Sequence, residues 1–264
     1  MKQGATMIEK LLDGRFLLLE PIGSGGEARV FRARDVILGH EVAARLALRP
    51  VTHETSGVLP SFHPGWVTLL HLGTDPQQGP YQIYELLDGP TIGQLVKTGP
   101  LGTGSWRRLV EQSLDAVTAL HEAGWVHGDL NAENIMQAKM PDSPWKLIEL
   151  PFLRFEPQAE RSTLFGSIHT LAPEQFSGKP AEVRSDLYAL GCLYYFAATG
   201  EFPHSGGTSQ EVAIERLRFA PRALIEKAPG LPAAWSAWVM TLLAREPQDR
   251  FPSAAAARQL LGVA

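Results

Sequence analysis

The chain has 264 residues, 44% of them hydrophobic and 20% charged, which suffices for one two-lobed domain or two small ones with an ordinary core. A formal net charge of -4 without any run of Lys or Arg argues against a nucleic-acid surface or an anionic membrane as the main partner. Cys192 is the only cysteine and no stretch of 18 apolar residues occurs, so disulfide frameworks, Cys-rich metal sites and membrane insertion drop out, and a cytoplasmic protein is expected.

The first ninety residues read as strands punctuated by Gly and Pro. Arg15 to Ile22 is a short apolar run that stops at Gly23-Ser24-Gly25-Gly26, and Ala28 to Arg34 follows. Glu41 to Leu48 comes after a turn at Gly39-His40. Val67 to Gly73 and Tyr81 to Leu87 flank a turn running from Asp75-Pro76 to Gly79-Pro80. From Thr103 the period lengthens: Trp106, Leu109, Val110, Leu114, Val117 and Leu120 recur at helical spacing, and Gly124 marks the stop. Asp186 to Thr199 reads as a helix apolar nearly all round and therefore buried. Trp235, Trp238, Val239, Leu242 and Leu243 make another stripe, and Ser253 is suited to cap a last helix reaching Leu261. Strands followed by helices predict an α+β protein.

Directly after the first long helix comes His127-Gly128-Asp129-Leu130-Asn131-Ala132-Glu133-Asn134. This segment resembles the catalytic loop of the protein kinase superfamily. Other segments resemble the same family in the same order. Gly23 to Val30 looks like its glycine-rich loop, Val42-Ala43-Ala44-Arg45 its third strand, and Leu171-Ala172-Pro173-Glu174 the end of its activation segment. Asp186 to Gly191 looks like the start of its buried helix, and Glu246 to Phe251 like its late Arg-bearing turn. The likeness runs from about Phe16 to Leu261 and favours the eukaryotic-type (Hanks) branch, of bacterial appearance, over small-molecule kinases. It implies a bilobal α+β fold, with a small β-rich lobe in 1–87 and a helical lobe in 88–264 around a phosphate-binding cleft.

The resemblance also assigns residues. Asp129 stands in the base position, with Asn131 beside it where the family has a lysine. Gly23, Gly25, Gly26, Val30, Ala43, Arg45, Glu85, Leu87 and Met136 match nucleotide-binding positions, and Tyr84 the gatekeeper. Asn134 and Glu149 match metal positions, making ATP and Mg²⁺ the implied ligands. His127, Glu174, Asp186 and Arg250 match structural positions, Glu174 and Arg250 as an ion pair.

Several of these positions are altered. Arg45 replaces the strand lysine, and a planar fork is not interchangeable with a compact ammonium. The residues between Arg45 and His63, with Pro50, Gly57 and Pro60 among them, are too few and too broken for the usual small-lobe helix, and Glu54 is the only acid there. That helix is predicted missing or reduced to a turn, leaving sheet surface for a partner or for the segment Ala5 to Leu12 to cover. Glu149 and Pro151 stand in the metal-binding triplet, and displacing a catalytic group by ~1 Å can cost ~10²-fold in rate. Gly128 replaces the arginine that reads a phosphorylated activation segment. The reading these changes favour is a pseudokinase acting through a protein partner, with weak or no nucleotide binding. The alternative is an active atypical Ser/Thr kinase with Asp129 as base. His71, His121 and His127 are not at metal-ligand spacing, the six Trp read as core, and Ser162, Thr163, Ser167 and Thr170 are ordinary loop hydroxyls.

Overall fold

A computed structural model of the chain describes residues 10–25, 28–48, 62–139, 143–151 and 167–262. They fall into two compact units, one holding described residues up to 62 and 67–88, the other 63–66, 89–151 and 167–262. Gly26 and residues 49–61 of the interval expected to lack a helix, with Pro50, Glu54, Gly57 and Pro60, lie outside the described residues, as do Ser162, Thr163 and Ala5 to Glu9.

The first unit is a six-stranded sheet in the order β1-β2-β3-β4-β6-β5. Its strands are β1 (Lys10–Leu12), β2 (Phe16–Ser24), β3 (Ala28–Asp35), β4 (Glu41–Ala47), β5 (Leu69–Asp75) and β6 (Gly79–Glu85). All pairings are antiparallel, and alternation decides what each face carries. Phe16, Leu18, Phe31, Ala33, Val42, Ala44, Leu46, Tyr81 and Ile83 form the core on one face, and Leu12 of β1 joins them. The turns use residues suited to them. Asp35 accepts the Ile37 and Leu38 amides at 3.0 and 3.1 Å, and Gly39 supplies a φ of 77° that closes the β3–β4 turn. Asp75 does the same for Gln77 and Gln78 before β6.

The second unit is helical, with α1 (Ile92–Val96), α2 (Thr103–Glu122), α3 (Pro173–Phe176), α4 (Val183–Thr199), α5 (Ser209–Arg218), α6 (Leu224–Lys227), α7 (Ala233–Leu242) and α8 (Ala254–Leu261). Every residue of the stripe read from Trp106 to Leu120 is buried on α2, and Gly124, at φ 82°, lets the chain leave the helix. α4 starts three residues before Asp186 and is buried from Ser185 to Tyr195, which explains its apolar circumference. Trp106 stacks on Trp235 at 5.6 Å and donates its indole N–H to the Tyr194 carbonyl at 2.8 Å. Ser253 caps α8 by accepting the Ala256 amide at 3.1 Å. A two-stranded ladder, β7 (Ile135–Gln137) with β8 (Trp145–Leu147), completes this unit and carries the loop that precedes it.

Candidate functional site

In the first unit, the sheet face opposite the apolar core holds Gly23, Val30, Ala43 and Arg45 of the residues matched to nucleotide binding. Register places Gly23 beside Val30, Val30 beside Arg45, and Arg45 beside Gln82. One step along, Ala43 lies between Arg32 and Tyr84. Val30 and Ala43 are half-buried, a shallow apolar floor, whereas Arg45 is 5% exposed. The Arg45 guanidinium donates to the Gln82 side-chain oxygen at 3.1 Å, and the Tyr84 hydroxyl donates to the same oxygen at 2.8 Å. Gln82 was not singled out by sequence reading, since its partner is far away in the chain and an amide inside a strand carries no local signal. Gly25 donates its amide to the Ala28 carbonyl at 2.9 Å, closing the described part of the glycine turn, and a Cβ at Gly25 would meet nothing within 4 Å. Glu85 ends β6 and accepts the Thr68 amide at 2.7 Å; Leu87, two residues on, is half-buried.

In the second unit, the loop 127–134 is held from below by one buried carboxylate. Asp186 accepts the His127 amide at 2.8 Å, the Gly128 amide at 2.9 Å, and lies 2.9 Å from His121 Nε2. His127 is fully buried; its Nδ1 accepts the Asp129 amide at 3.3 Å, so the proton belongs on Nε2, which donates to the Ile148 carbonyl at 3.2 Å. Gly128 has φ 69°, a conformation that glycine adopts without the clash a Cβ would bring.

The Asp129 carboxylate thus has a fixed backbone. Asn131 donates its side-chain amide to Asp129 Oδ1 at 3.1 Å, and Asn134 donates to the Asp129 carbonyl at 2.9 Å and to Oδ2 at 3.4 Å. Asn131 in turn accepts the Glu133 amide at 2.9 Å, so its carbonyl end is spent on the loop. Glu133 takes the Thr91 hydroxyl at 3.0 Å and sits against Gly93, where any Cβ would collide with its carboxylate. The start of α1 and the loop therefore lock together.

β-pairing brings the two matched metal residues to one end of a hairpin. Asn134 precedes β7, Glu149 follows β8, and the Ile148 amide donates to the Asn134 carbonyl at 3.0 Å. Glu149 has φ 56°, a left-handed conformation costing an ordinary residue ~1–2 kcal/mol, and such strain gathers at functional sites. Met136, in the middle of β7, bridges to Thr91 and is half-buried. Among the described residues no group of three or more His, Cys, Asp or Glu is placed to hold a metal by itself. One carboxylate and one amide oxygen fit Mg²⁺, which keeps waters and takes further oxygens from a phosphate.

Below the loop, Arg250 donates to both oxygens of Glu174 at 2.8 Å and to three backbone carbonyls, at 0% side-chain exposure. Burial alone would raise the Glu174 pKa; the Arg250 hydrogen bonds and charge, with help from Ser185, bring it below the usual value. Arg216 of α5, 1% exposed, was also missed in the sequence, where it reads as a solvent-facing helix cation. Its guanidinium donates to the carbonyls of Ile168 and His169 at 2.8 Å, and to that of Leu171. It thereby pins the segment leading into Ala172-Pro173-Glu174.

A family model described as the protein kinase domain matches residues 16–261. The serine/threonine-protein kinase PknB of Mycobacterium tuberculosis is 30% identical across 94% of this chain and 42% of its own length. The serine/threonine-protein kinase Pkn1 of Myxococcus xanthus is 30% identical across 95% and 38%. The chain thus spans about two fifths of the length of these curated relatives. Among solved structures, Rad53 residues 1–466 in complex with AMP-PNP has the same fold, with a TM-score of 0.80, 23% identity, and coverage of 95% of this chain and 66% of that one.

Proposed function

The chain belongs to the protein kinase domain family, and on that premise we propose that it transfers the γ-phosphoryl group of ATP to a Ser or Thr hydroxyl with Asp129 as base. The observation that carries this reading is the ordered loop around the retained Asp129, whose backbone is fixed by His127 and Asn134, over the Asp186 carboxylate. The named relatives are Ser/Thr kinases, and this too supports an active enzyme over a pseudokinase.

In the proposed step the acceptor oxygen bonds to the γ-phosphorus while the bond to the β–γ bridging oxygen breaks. The acceptor proton passes to the Asp129 carboxylate, and ADP leaves with the bond electrons. Asn131 and Asn134 orient that carboxylate by donating to its two oxygens. Mg²⁺, when bound with ATP, neutralises phosphate charge, and Asn134 and Glu149 are the residues that would hold it. Arg45, matched to the phosphate-binding lysine, supplies a cation on the same sheet face as Val30 and Ala43.

A second reading, a pseudokinase acting through a protein partner, draws support from the tie between Arg45 and Gln82 and from Asn131 standing where the family has a lysine. Phosphate incorporation from γ-labelled ATP, with Mg²⁺ or Mn²⁺ and a generic Ser/Thr acceptor protein, separates the two. Incorporation that falls ~10²-fold or more in Asp129→Asn is expected. No incorporation with either metal would transfer the case to the binding reading, and incorporation unchanged in Asp129→Asn would remove Asp129 as base.

A further inference from the structure

The segment 167–172 lies outside helices and strands, so no ladder satisfies its carbonyls. Arg216 of α5 supplies donors to three of them, those of Ile168, His169 and Leu171. Its guanidinium carbon also lies 5.6 Å from the Tyr188 ring centre on α4 and 5.8 Å from that of Phe176 on α3. The His169 ring stacks on Phe202 at 4.7 Å, so the turn is gripped by a side chain as well as through its backbone.

This grip bears on the proposed transfer because of where the turn sits. Thr170 and Leu171 line one narrow cleft together with Gly128, Asp129 and Leu130. Both are buried there, and the half-buried Ile168 and His169 give the turn its accessible side. A hydroxyl delivered to Asp129 arrives on a chain, and the residues flanking that hydroxyl must run along what borders Asp129. On the reading that Asp129 takes the acceptor proton, we propose that Arg216 is a positioning residue for the protein acceptor. It sets the backbone of 168–171 against which the acceptor chain lies.

Stability alone does not account for an arginine at this place. Arg216 is 1% exposed, pairs with no carboxylate among the described residues, and keeps its Nε buried without an acceptor. A buried cation without a counter-charge is costly, and apolar side chains of similar volume often stabilise as well or better. What the planar fork adds is geometry. Several donors in one plane fix three carbonyls relative to one another, which a methionine cannot do and a single ammonium does less well. An acceptor site demands such fixity, since displacing a reacting group by ~1 Å can cost ~10²-fold in rate.

Steady-state phosphate transfer from ATP to casein or myelin basic protein, whichever accepts better, tests this on the whole chain. Arg216→Met and Arg216→Lys should each raise the KM for the acceptor protein, the first ~10-fold or more, as loss of hydrogen bonds to a charged group would, and the second less. The KM for ATP should stay at the parent's value in both, a split that general loosening of the fold would not give. Arg216→Lys keeps the charge and carries the test should Arg216→Met fail to fold. A folded Arg216→Met, or in its absence Arg216→Lys, with the parent's KM for the acceptor would overturn the role of Arg216 and leave Asp129 as base untouched. A KM for ATP that rises in step with that for the acceptor would do the same. No transfer to either protein would remove the proposed transfer and the role of Arg216 together.

Discussion

Asp186 accepts two backbone amides of the 127–134 loop and faces His121 while only 1% exposed, so its buried charge is held by donors from the loop and from α2. Replacing it with Ala strands two buried amides and a buried imidazole. The expected loss is ~3–5 kcal/mol, the range for breaking a buried charged network, read from urea unfolding; Asp186→Asn should retain part of it. Asp35 is a second carboxylate whose state matters. The Arg15 hydrogen bond, working against burial and aided by the Leu38 and Ile37 amides, holds it down at about 2 from 3.8. A depressed folded value means that its contribution is present above the unfolded pKa and lost as pH falls through the folded one. Stability should therefore decline between pH ~4 and ~2 more steeply in the natural chain than in Asp35→Asn, as followed by melting across that range. At this scale the motif positions Asp129, Asn134 and Asp186 could be picked out of the sequence, and the structure joins them through hydrogen bonds in and under one loop. The site was illegible where a partner comes from far off in the chain: Gln82 for Arg45, Arg216 for the carbonyls of Ile168, His169 and Leu171, and His121 for Asp186.

At the scale of elements, long periodic segments announce themselves and short ones do not. α2 and α4 are deep enough in the core for every turn to leave an apolar mark, whereas β7 and β8 have three residues each and derive their geometry from one ladder and the parallel bridge from Trp66 to Leu147. α5 hides its nature differently, burying only Val212 and Arg216 while Ile214 and Leu217 stay exposed, a pattern with no clear apolar face. Gly191 shows propensity giving way to packing. Inside α4 an alanine would be favoured by ~1 kcal/mol on helix propensity, yet its Cβ would lie 2.8 Å from Leu242 Cβ and 3.1 Å from a Leu243 methyl. α7 and the residues after it pass directly over that spot. Gly191→Ala should therefore destabilise by ~1–3 kcal/mol, the usual cost of overpacking, and a variant more stable than the parent in urea would show that α7 can shift aside.

For the whole molecule the order of strands and then helices was readable from Phe16 onward, and it gives a mixed α+β kinase fold. The sequence did not reveal which altered positions damage phosphoryl transfer, because that depends on distances of about an ångström that side-chain identity alone does not set. Ligand linkage reports on it globally. A nucleotide bound only by the folded state, at a hundred times its dissociation constant, stabilises by ~2.7 kcal/mol, worth several degrees in a chain of 264 residues. With Asn134 and Glu149 as the candidate metal residues, ATP with Mg²⁺ should raise the melting temperature more than ATP with EDTA, and Glu149→Ala should abolish the difference. A shift equal with and without metal would leave the sheet face of Val30, Ala43 and Arg45 as a nucleotide platform without metal-assisted chemistry. The pseudokinase reading would then account for the retained loop as scaffolding around Asp186.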